Sequence, residues 1–197
     1  MPVVDLTDVV AEIRRRDPVD GIRLVGIDGP AGSGKSTLAR RLVPLLNAPI
    51  ATTDDFLSWA DLETWWPRFE RDVLAPLADK RDARYRVRDW HGDPEGSGIK
   101  GWKSLAWSPV VVLEGVTSTR RQVTDRLVHR IWVEAPDDLR LARGLARDGH
   151  YWLDHWADWL RMESEFFAAD GARDRADLIV DGAPDVLHDP AAQLVSR

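Results

Sequence analysis

Residues 29–36 have the sequence Gly-Pro-Ala-Gly-Ser-Gly-Lys-Ser, a complete G-x-x-x-x-G-K-[ST] pattern. Glycines in such a loop let backbone N–H groups turn toward phosphate oxygens, and a following helix N-terminus adds positive potential. Lys35 can reach the β- and γ-phosphates of ATP, and the Ser36 hydroxyl can ligate Mg²⁺. The cofactor-binding residues predicted in this loop are Gly29, Ala31, Gly32, Ser33, Gly34, Lys35, Ser36 and Thr37.

Three carboxylates follow apolar segments farther along the chain. Glu114 closes the apolar run 110–113, and Asp54 and Asp55 follow a short predicted strand at 48–52. We expect Ser36 and Glu114 to be the metal ligands, since Mg²⁺ prefers carboxylate and hydroxyl oxygens. Phosphoryl transfer to a hydroxyl needs a carboxylate that accepts the proton, and Asp54 is favoured over Asp55 for this catalytic role. The alternatives are a solvent-facing Glu114 and an aspartate pair that only caps a helix.

Arginines recur on a predicted helix between residues 136 and 148. Arg143 and Arg147 are one helical turn apart and therefore share a face, with Arg140 nearby. Arg143 is predicted to contact the adenine of ATP, and Arg147 to stabilise the transferring phosphoryl group. Surface salt bridges are the competing interpretation, and the candidate partners are Asp137, Asp138 and Asp148.

Strand-like and helix-like segments alternate along the chain. The pattern predicts an opening helix capped by Thr7, strands near 22–28, 48–52, 109–115, 128–133 and 176–181, and a loosely helical tail after Asp185. Glycines and Pro94 between residues 91 and 101 indicate a mobile loop or a hairpin tip. We therefore predict an α/β fold of the three-layer P-loop type, with a mostly parallel five-stranded sheet flanked by helices and a small helical lid. In such sheets ligands bind beyond the carboxyl ends of the strands.

Composition narrows the function classes. The chain has 197 residues, a net charge of −6 and no cysteine, so disulfides and thiolate chemistry are excluded and a nucleic-acid partner is disfavoured. No apolar run approaches the roughly 20 residues of a membrane span, and the five histidines lack metal-ligand spacing. A cytoplasmic enzyme with a small-molecule substrate is the expectation, and a homo-oligomer remains open.

Several motifs in order resemble the uridine kinase and phosphoribulokinase-like family of P-loop kinases, over about residues 22–182. The phosphate loop matches. Asp54-Asp55-Phe56 is similar to the family's Asp-x-aromatic motif, and Arg88-Asp89-Trp90 to its Tyr-Asp-Phe motif. Residues 112–116 resemble its Glu-Gly-Ile strand end, residues 140–148 its Arg-rich lid helix, and residues 176–182 its last strand. The departures are Leu57 for a second aromatic, Arg88 for the Tyr, and Gly144 where an Arg is common.

The resemblance implies roles for individual residues. Asp54 would be the general base, Asp89 would hold the hydroxyls of a nucleoside, and Phe56 and Trp90 would belong to the same substrate-binding region. Ten tryptophans are several times ordinary usage. We expect Trp152, Trp156 and Trp159, at helical spacing, to be core residues. Trp59 and Trp90 are candidates for stacking on a ring of the substrate.

These observations predict a kinase that transfers the γ-phosphoryl group of ATP to a hydroxyl, most plausibly of a nucleoside. Residues 1–197 would form one domain, with a lid at about 143–156 and an acceptor-side insertion at about 57–107. One alternative is a nucleoside monophosphate kinase, whose phosphate acceptor would need Arg68, Arg71, Arg84, Arg86 and Arg88. Another is an ATP-binding regulator or slow ATPase.

Overall fold

The computed structural model describes residues 1–59, 61–93 and 98–197. Five parallel strands form its central sheet, in the spatial order β3-β6-β2-β7-β8. Their bounds are β2 Arg23–Asp28, β3 Ile50–Thr52, β6 Val110–Glu114, β7 Leu127–Glu134 and β8 Leu178–Asp181. The predicted five-stranded parallel sheet is confirmed, and its unbroken apolar strands are those of a sheet covered on both faces.

Strand register aligns the carboxyl ends of three neighbouring strands. Glu114 pairs with Thr52 on one side and with Ile27 on the other. The residues that follow these positions, at 28–36 and 53–55, therefore leave the sheet at one edge. This is the edge at which ligands bind in open α/β sheets.

Two helices cover one face of the sheet. Helix α1 (Leu6–Arg15) and helix α2 (Lys35–Leu46) bury their apolar residues against Val25, Ile27, Val112 and Ile131. Asn47 ends α2 in the left-handed conformation. Pro44 lies within the last turn of the helix.

The opposite face of the sheet carries a larger apolar layer. Helices α3 (Trp66–Phe69) and α4 (Ala75–Ala78) are joined by a π-helical turn at Glu70–Leu74 and bury the predicted apolar positions. Helix α6 (Leu153–Asp170) adds its Trp156 and Trp159 to this layer. Helix α5 (Asp137–Asp148) follows β7, as predicted. Helices on both faces complete the three-layer architecture.

An antiparallel hairpin lies beside this apolar layer. Strands β4 (Ala83–Arg88) and β5 (Ile99–Leu105) pair with each other, and Ala83, Tyr85 and Leu105 are buried. Residues 99–101 of the predicted loop or hairpin tip at 91–101 therefore begin β5. Pro94 and Gly96, two of the residues behind that prediction, lie outside the described residues.

Two expectations about the chain ends are wrong. The tail contains strand β9 (Gln193–Val195) instead of a loose helix, and it pairs antiparallel with β1 (Val3–Asp5). Thr7 does not cap α1, because the helix begins at Leu6 with Asp5 in the cap position. No helix among the described residues is long and apolar enough to cross a membrane.

Candidate active site

The phosphate loop connects β2 to α2 and depends on glycine at two strained positions. Gly29 has φ +135°, and a Cβ atom there would lie 2.0 Å from the carbonyl oxygen of Val133. Gly34 has φ +110° and caps the N-terminus of α2. Side chains at these positions would prevent the close turn, so the loop backbone can face the space above α2 only with glycine there.

Lys35, Ser36 and Glu114 lie together at the start of α2. The Ser36 hydroxyl donates to Glu114 Oε1 at 3.0 Å, and Lys35 Nζ donates to the Pro30 carbonyl at 2.8 Å. The Ser33 hydroxyl is buried and makes no hydrogen bond within the described part of the chain. Burial raises the pKa of Glu114, whereas Lys35 lowers it. A donor-rich loop with an unpaired buried hydroxyl fits a polyphosphate, and Ser36 with Glu114 fits Mg²⁺ held partly by phosphates.

The described residues hold no cluster of three or more His, Asp or Glu side chains arranged to bind a metal ion. A dedicated protein cage for a metal is therefore not found in that part of the chain. Mg²⁺ at a nucleotide needs fewer protein ligands, since phosphate oxygens and water complete its coordination.

Asp28, which sequence reasoning missed, is a buried residue directly before the phosphate loop that binds the backbone around it. Its fully buried carboxylate accepts hydrogen bonds from the backbone N–H groups of Gly29, Thr117 and Thr119 and from the Thr119 hydroxyl, at 2.7–2.9 Å. Burial raises its pKa to about 6, and the hydrogen bonds of Thr119 and Gly29 oppose that shift. The sequence contains a signal for this role, because Asp28 ends an apolar strand directly before the loop, and a buried carboxylate there needs hydrogen-bond partners.

Asp54 and Asp55, although adjacent, face different surroundings. Asp54 lines a cavity of about 790 Å³ beside the phosphate loop. Asp55 is absent from the cavity wall, because Tyr85 donates to its Oδ2 at 3.0 Å and Lys103 pairs with the same atom at 2.8 Å. Asp54 is exposed as a residue, but the protein atoms around its carboxylate raise its pKa, while Lys35 and Arg147 lower it. The structure thus brings Asp54, and not Asp55, to the phosphate loop.

The cavity joins the phosphate loop to an aromatic wall. Its described lining consists of Ala31, Gly32, Gly34, Lys35, Ser36, Thr37, Asp54, Trp59, Trp90, His91, Glu114, Gly115, Val116, Arg143, Gly144, Arg147, Asp148, Trp152, Trp156 and Trp159. Most of the predicted site residues are in this set. The cavity volume lies in the range of small-molecule sites.

Trp59 lies at the centre of the aromatic wall. Its ring stacks on Trp152 at 6.0 Å and meets Trp159 edge-on at 5.3 Å and Trp90 at 6.1 Å. The indole N–H of Trp90 donates to the Asp54 carbonyl at 2.8 Å, and that of Trp156 to Asp148 at 3.1 Å. Because these N–H groups are already bonded, Trp90 and Trp156 have mainly ring surface to offer a ligand.

Helical spacing led us to expect Trp152, Trp156 and Trp159 in the core. Trp156 and Trp159 are indeed buried, but all three also line the cavity. His91 is a further lining residue to which sequence reasoning assigned no role, and Asp148, which was expected only as a salt-bridge partner, also lines the cavity. Nothing in their local sequence sets them apart, since their segments meet only in the folded chain.

Three predicted contacts differ in the structure. Phe56 belongs to the buried core, where its ring stacks on Tyr85, and it does not line the cavity. Asp89 is also away from the cavity, since it pairs with Lys100 at 2.6 Å and accepts from the Gly92 N–H. The Ala31 N–H is directed at Glu163, at 2.8 Å, and not at the phosphate space.

The arginines of α5 divide into two groups. Arg143 donates to the carbonyls of Gly32 and Gly182 at 3.1 Å, and Arg147 pairs with Asp148 and lies 5.7 Å from the Trp156 ring. Both line the cavity. Arg140 is buried and bonded to Glu163, so it acts inside the protein.

A second cavity, of about 270 Å³, lies on the other side of the loop. It shares Gly34, Thr37 and Arg143 with the first. Its remaining wall includes Gly182, Pro184 and His188, which follow β8. The two cavities thus flank the phosphate loop.

The five arginines that a phosphate acceptor would need point elsewhere. None of them is among the described residues that line the larger cavity. Arg68 donates to the carbonyls of Asp55 and Arg86, and Arg71 pairs with Asp72. Arg84 and Arg86 lie over the Trp102 ring, and Arg88 over the Trp90 ring.

Sheet order, phosphate loop and the carboxylate that ends β6 together define a P-loop protein with a kinase-like fold. A family model described as an AAA domain matches residues 25–151, more than half of the chain, and the chain belongs to that family. A curated uridine kinase from Schizosaccharomyces pombe is 24% identical over an alignment of 147 residues that covers 66% of this chain. The chain spans only 32% of that relative's length.

Solved structures agree on the fold. A possible uridine kinase from Bacillus stearothermophilus has a TM-score of 0.62 and 17% identity, with 88% of this chain and 96% of that chain covered. Phosphoribulokinase from Rhodobacter spheroides has a TM-score of 0.52 and 11% identity, with 88% and 75% covered. The resemblance to uridine kinase and phosphoribulokinase-like P-loop kinases is confirmed at the level of fold.

Proposed function

We propose that this protein is a kinase that transfers the γ-phosphoryl group of Mg·ATP to a hydroxyl of a small, unphosphorylated acceptor, with a nucleoside as the first candidate. The observation that carries the proposal is the position of Asp54. Its carboxylate lines one cavity together with Lys35 and Arg147, and both cations lower its pKa. This transfer has two requirements, which are a carboxylate that can accept a proton and cations that can stabilise the developing negative charge.

ATP is proposed to lie along the phosphate loop, with its adenosine and its γ-phosphate in different cavities. Its adenosine would occupy the smaller cavity between Arg143 and Pro184, and its γ-phosphate would reach Lys35 in the larger one. The backbone N–H groups of Gly32, Gly34, Lys35 and Ser36, all in the lining of the larger cavity, would hold the phosphates. Ser36 and Glu114 would hold Mg²⁺, which when bound offsets charge on the phosphates.

Asp54 is proposed to orient the acceptor hydroxyl and accept its proton. The acceptor oxygen bonds to the γ-phosphorus while the bond from that phosphorus to ADP breaks, so ADP leaves and the proton goes to the Asp54 carboxylate. Lys35 and Arg147 would stabilise the charge that develops on the transferring group. Residues 143–156, from the last turn of α5 into α6, would form the lid, and the insertion at about 57–107 would supply Trp59 and Trp90 to the acceptor side.

The acceptor is proposed to be unphosphorylated because Arg143 and Arg147 of α5 are the arginines among the described lining residues, and the five arginines of the acceptor-side insertion are absent from that lining. Arg68, Arg71, Arg84, Arg86 and Arg88 bond or stack elsewhere, which weakens the nucleoside monophosphate kinase alternative. Aromatic faces around Trp59 favour a ring on the acceptor. Asp89 and Phe56 would then support the hairpin and core without touching it.

The test is ADP release from Mg·ATP across nucleosides, nucleoside monophosphates and other small alcohols, with product masses measured. We expect release that depends on an acceptor alcohol and a product heavier by one phosphate. Lys35→Ala should abolish turnover and leave the fold intact. Turnover only with monophosphates would favour the alternative kinase, and nucleotide binding without any acceptor-dependent turnover would favour a regulator or slow ATPase.

A further inference from the structure

A buried ion pair holds one peptide group of the phosphate loop. Glu163 on α6 is 1% exposed, and its Oε1 pairs with Arg140 of α5 at 2.5 Å. The Ala31 N–H donates to Glu163 Oε2 at 2.8 Å, and Arg140 donates to the Ala31 carbonyl at 3.0 Å. Both polar groups of Ala31 are therefore bound by the pair.

The same carboxylate also holds an indole of the acceptor side. Trp159 donates from Nε1 to Glu163 Oε2 at 3.1 Å, so this one oxygen accepts from the loop and from the aromatic wall. The Trp159 ring lines the cavity and meets Trp59 at an interplanar angle of 85°. Glu163 is thus a shared contact between the two halves of the site.

Stability alone does not explain such a pair. Removing a carboxylate and a guanidinium from water costs several kcal/mol, and apolar residues of similar size at such positions are often equally or more stabilising. Burial raises the pKa of Glu163, while the Ala31 N–H, Lys35 and Arg140 lower it. What an apolar pair could not supply is a fixed direction for the Ala31 peptide and for the Trp159 ring.

We propose that Glu163 is a positioning residue that couples nucleotide binding at the phosphate loop to the orientation of Trp159 in the acceptor pocket. The inference rests on the proposed function, since it needs a nucleotide at the loop. When phosphates bind and the Ala31 peptide shifts, the carboxylate shifts with it and reorients the indole. Coupling between two sites requires such a shared element with different contacts in the two states.

The probe is Mg·ADP, which needs no acceptor. Affinity is measured by calorimetry and the indole response by tryptophan emission at saturating nucleotide, in the full chain and in three variants. Glu163→Gln replaces one acceptor oxygen by a donor that faces Arg140. Trp159→Phe removes the indole and keeps the loop contact. Glu165→Gln is the matched control, because Glu165 is exposed and paired only with Arg161 among the described residues.

We expect saturating Mg·ADP to change the emission of the wild-type protein and of Glu165→Gln equally. Trp159→Phe should bind Mg·ADP normally but lose a large part of the change. Glu163→Gln should bind about tenfold more weakly and, once saturated, show the same loss. A purely structural role for Glu163 would lower affinity or melting temperature but leave the change at saturation intact.

The outcomes separate the two proposals. A folded Glu163→Gln variant with a wild-type emission change overturns the coupling and leaves the kinase proposal standing. If that variant does not fold, Trp159→Phe decides, because an unchanged response there also overturns the coupling. A wild-type protein that binds no Mg·ADP overturns the proposed function and the coupling together.

Discussion

The Ser36 hydroxyl donates a hydrogen bond of 3.0 Å to Oε1 of Glu114, across 78 positions of sequence. Register explains the contact, since Glu114 ends β6 beside Ile27, which precedes the phosphate loop. Glu114→Gln keeps the shape but removes the negative charge. We expect it to require about 10- to 100-fold more Mg²⁺ for half-maximal activity.

A magnesium titration of ADP release measures this effect, with Glu165→Gln as the exposed control. An unchanged magnesium requirement in Glu114→Gln would exclude Glu114 from the metal site. Thermal melting of both variants identifies any general loss of stability.

Asp54 and Asp55 offer a matched pair of substitutions. Asp54→Asn should lower kcat by about 10²- to 10⁴-fold, because the acceptor hydroxyl loses its proton acceptor. Asp55→Asn should mainly lower the melting temperature, since Asp55 holds Tyr85 and Lys103 and does not reach the cavity. Steady-state kinetics of both variants shows which of the two aspartates is the general base. Equal losses of kcat would show that the general base is misassigned, and a mild effect at Asp54 would support a phosphate acceptor.

The pH dependence of kcat/KM should report the raised pKa of Asp54. The protein atoms around the carboxylate raise this pKa although the residue is exposed, and the base works only when ionised, so activity is lost as pH falls through the raised value. The acidic limb should therefore lie above about 3.9, the ordinary pKa of aspartate. Arg147→Gln should move the limb to higher pH, because Arg147 lowers the pKa of Asp54. A limb at the ordinary aspartate value in a protein still folded at that pH would contradict this assignment.

Gly144 determines how Trp156 packs on α5. A Cβ atom at Gly144 would lie 2.3 Å from Cζ2 of Trp156, whose ring is 1% exposed. Gly144→Ala should therefore destabilise the protein by about 1–3 kcal/mol through overpacking and distort the cavity wall. Denaturant unfolding measures the free energy, and the Gly144→Ala/Trp156→Leu double variant tests the mechanism. The two effects should be less than additive, and full additivity would show that the ring is not the cause.

The parts of the fold that local sequence could predict are those with strong periodicity. The apolar run at 110–113 and the phosphate loop define β6 and the β2–α2 turn without distant information. Strands β1 and β9 are three residues each, and they exist only because they pair with each other across the chain. Strand β4 had a visible signal, since the exposed Arg84 and Arg86 alternate with the buried Ala83 and Tyr85, but the glycines after it indicated only a loop or a hairpin tip.

In the candidate site, too, sequence could predict only the parts that do not depend on contacts between distant segments. Six of the eight predicted loop residues line the larger cavity, because one contiguous segment supplies them, whereas Gly29 and Ser33 are absent from the lining. Asp54 was favoured over Asp55 in line with the family resemblance, but the contacts that keep Asp55 from the cavity come from Tyr85 and Lys103 in two strands that the sequence analysis did not assign. Glu163 could have been found from the sequence, because it is a charged residue on the apolar helix face that carries Trp156 and Trp159.

The two sides of the larger cavity differ in how their residues are distributed along the sequence. Residues 31–37 of one short loop form the phosphate side, whereas Trp59, Trp90 and the helical stretch 152–159 form the aromatic wall. Trp59 and Trp90 belong to segments separate from the loop, whereas Trp159 shares Glu163 with the Ala31 N–H. Substitutions at Trp59 can therefore alter the wall with the loop unchanged, while a substitution at Trp159 also affects a partner of the loop.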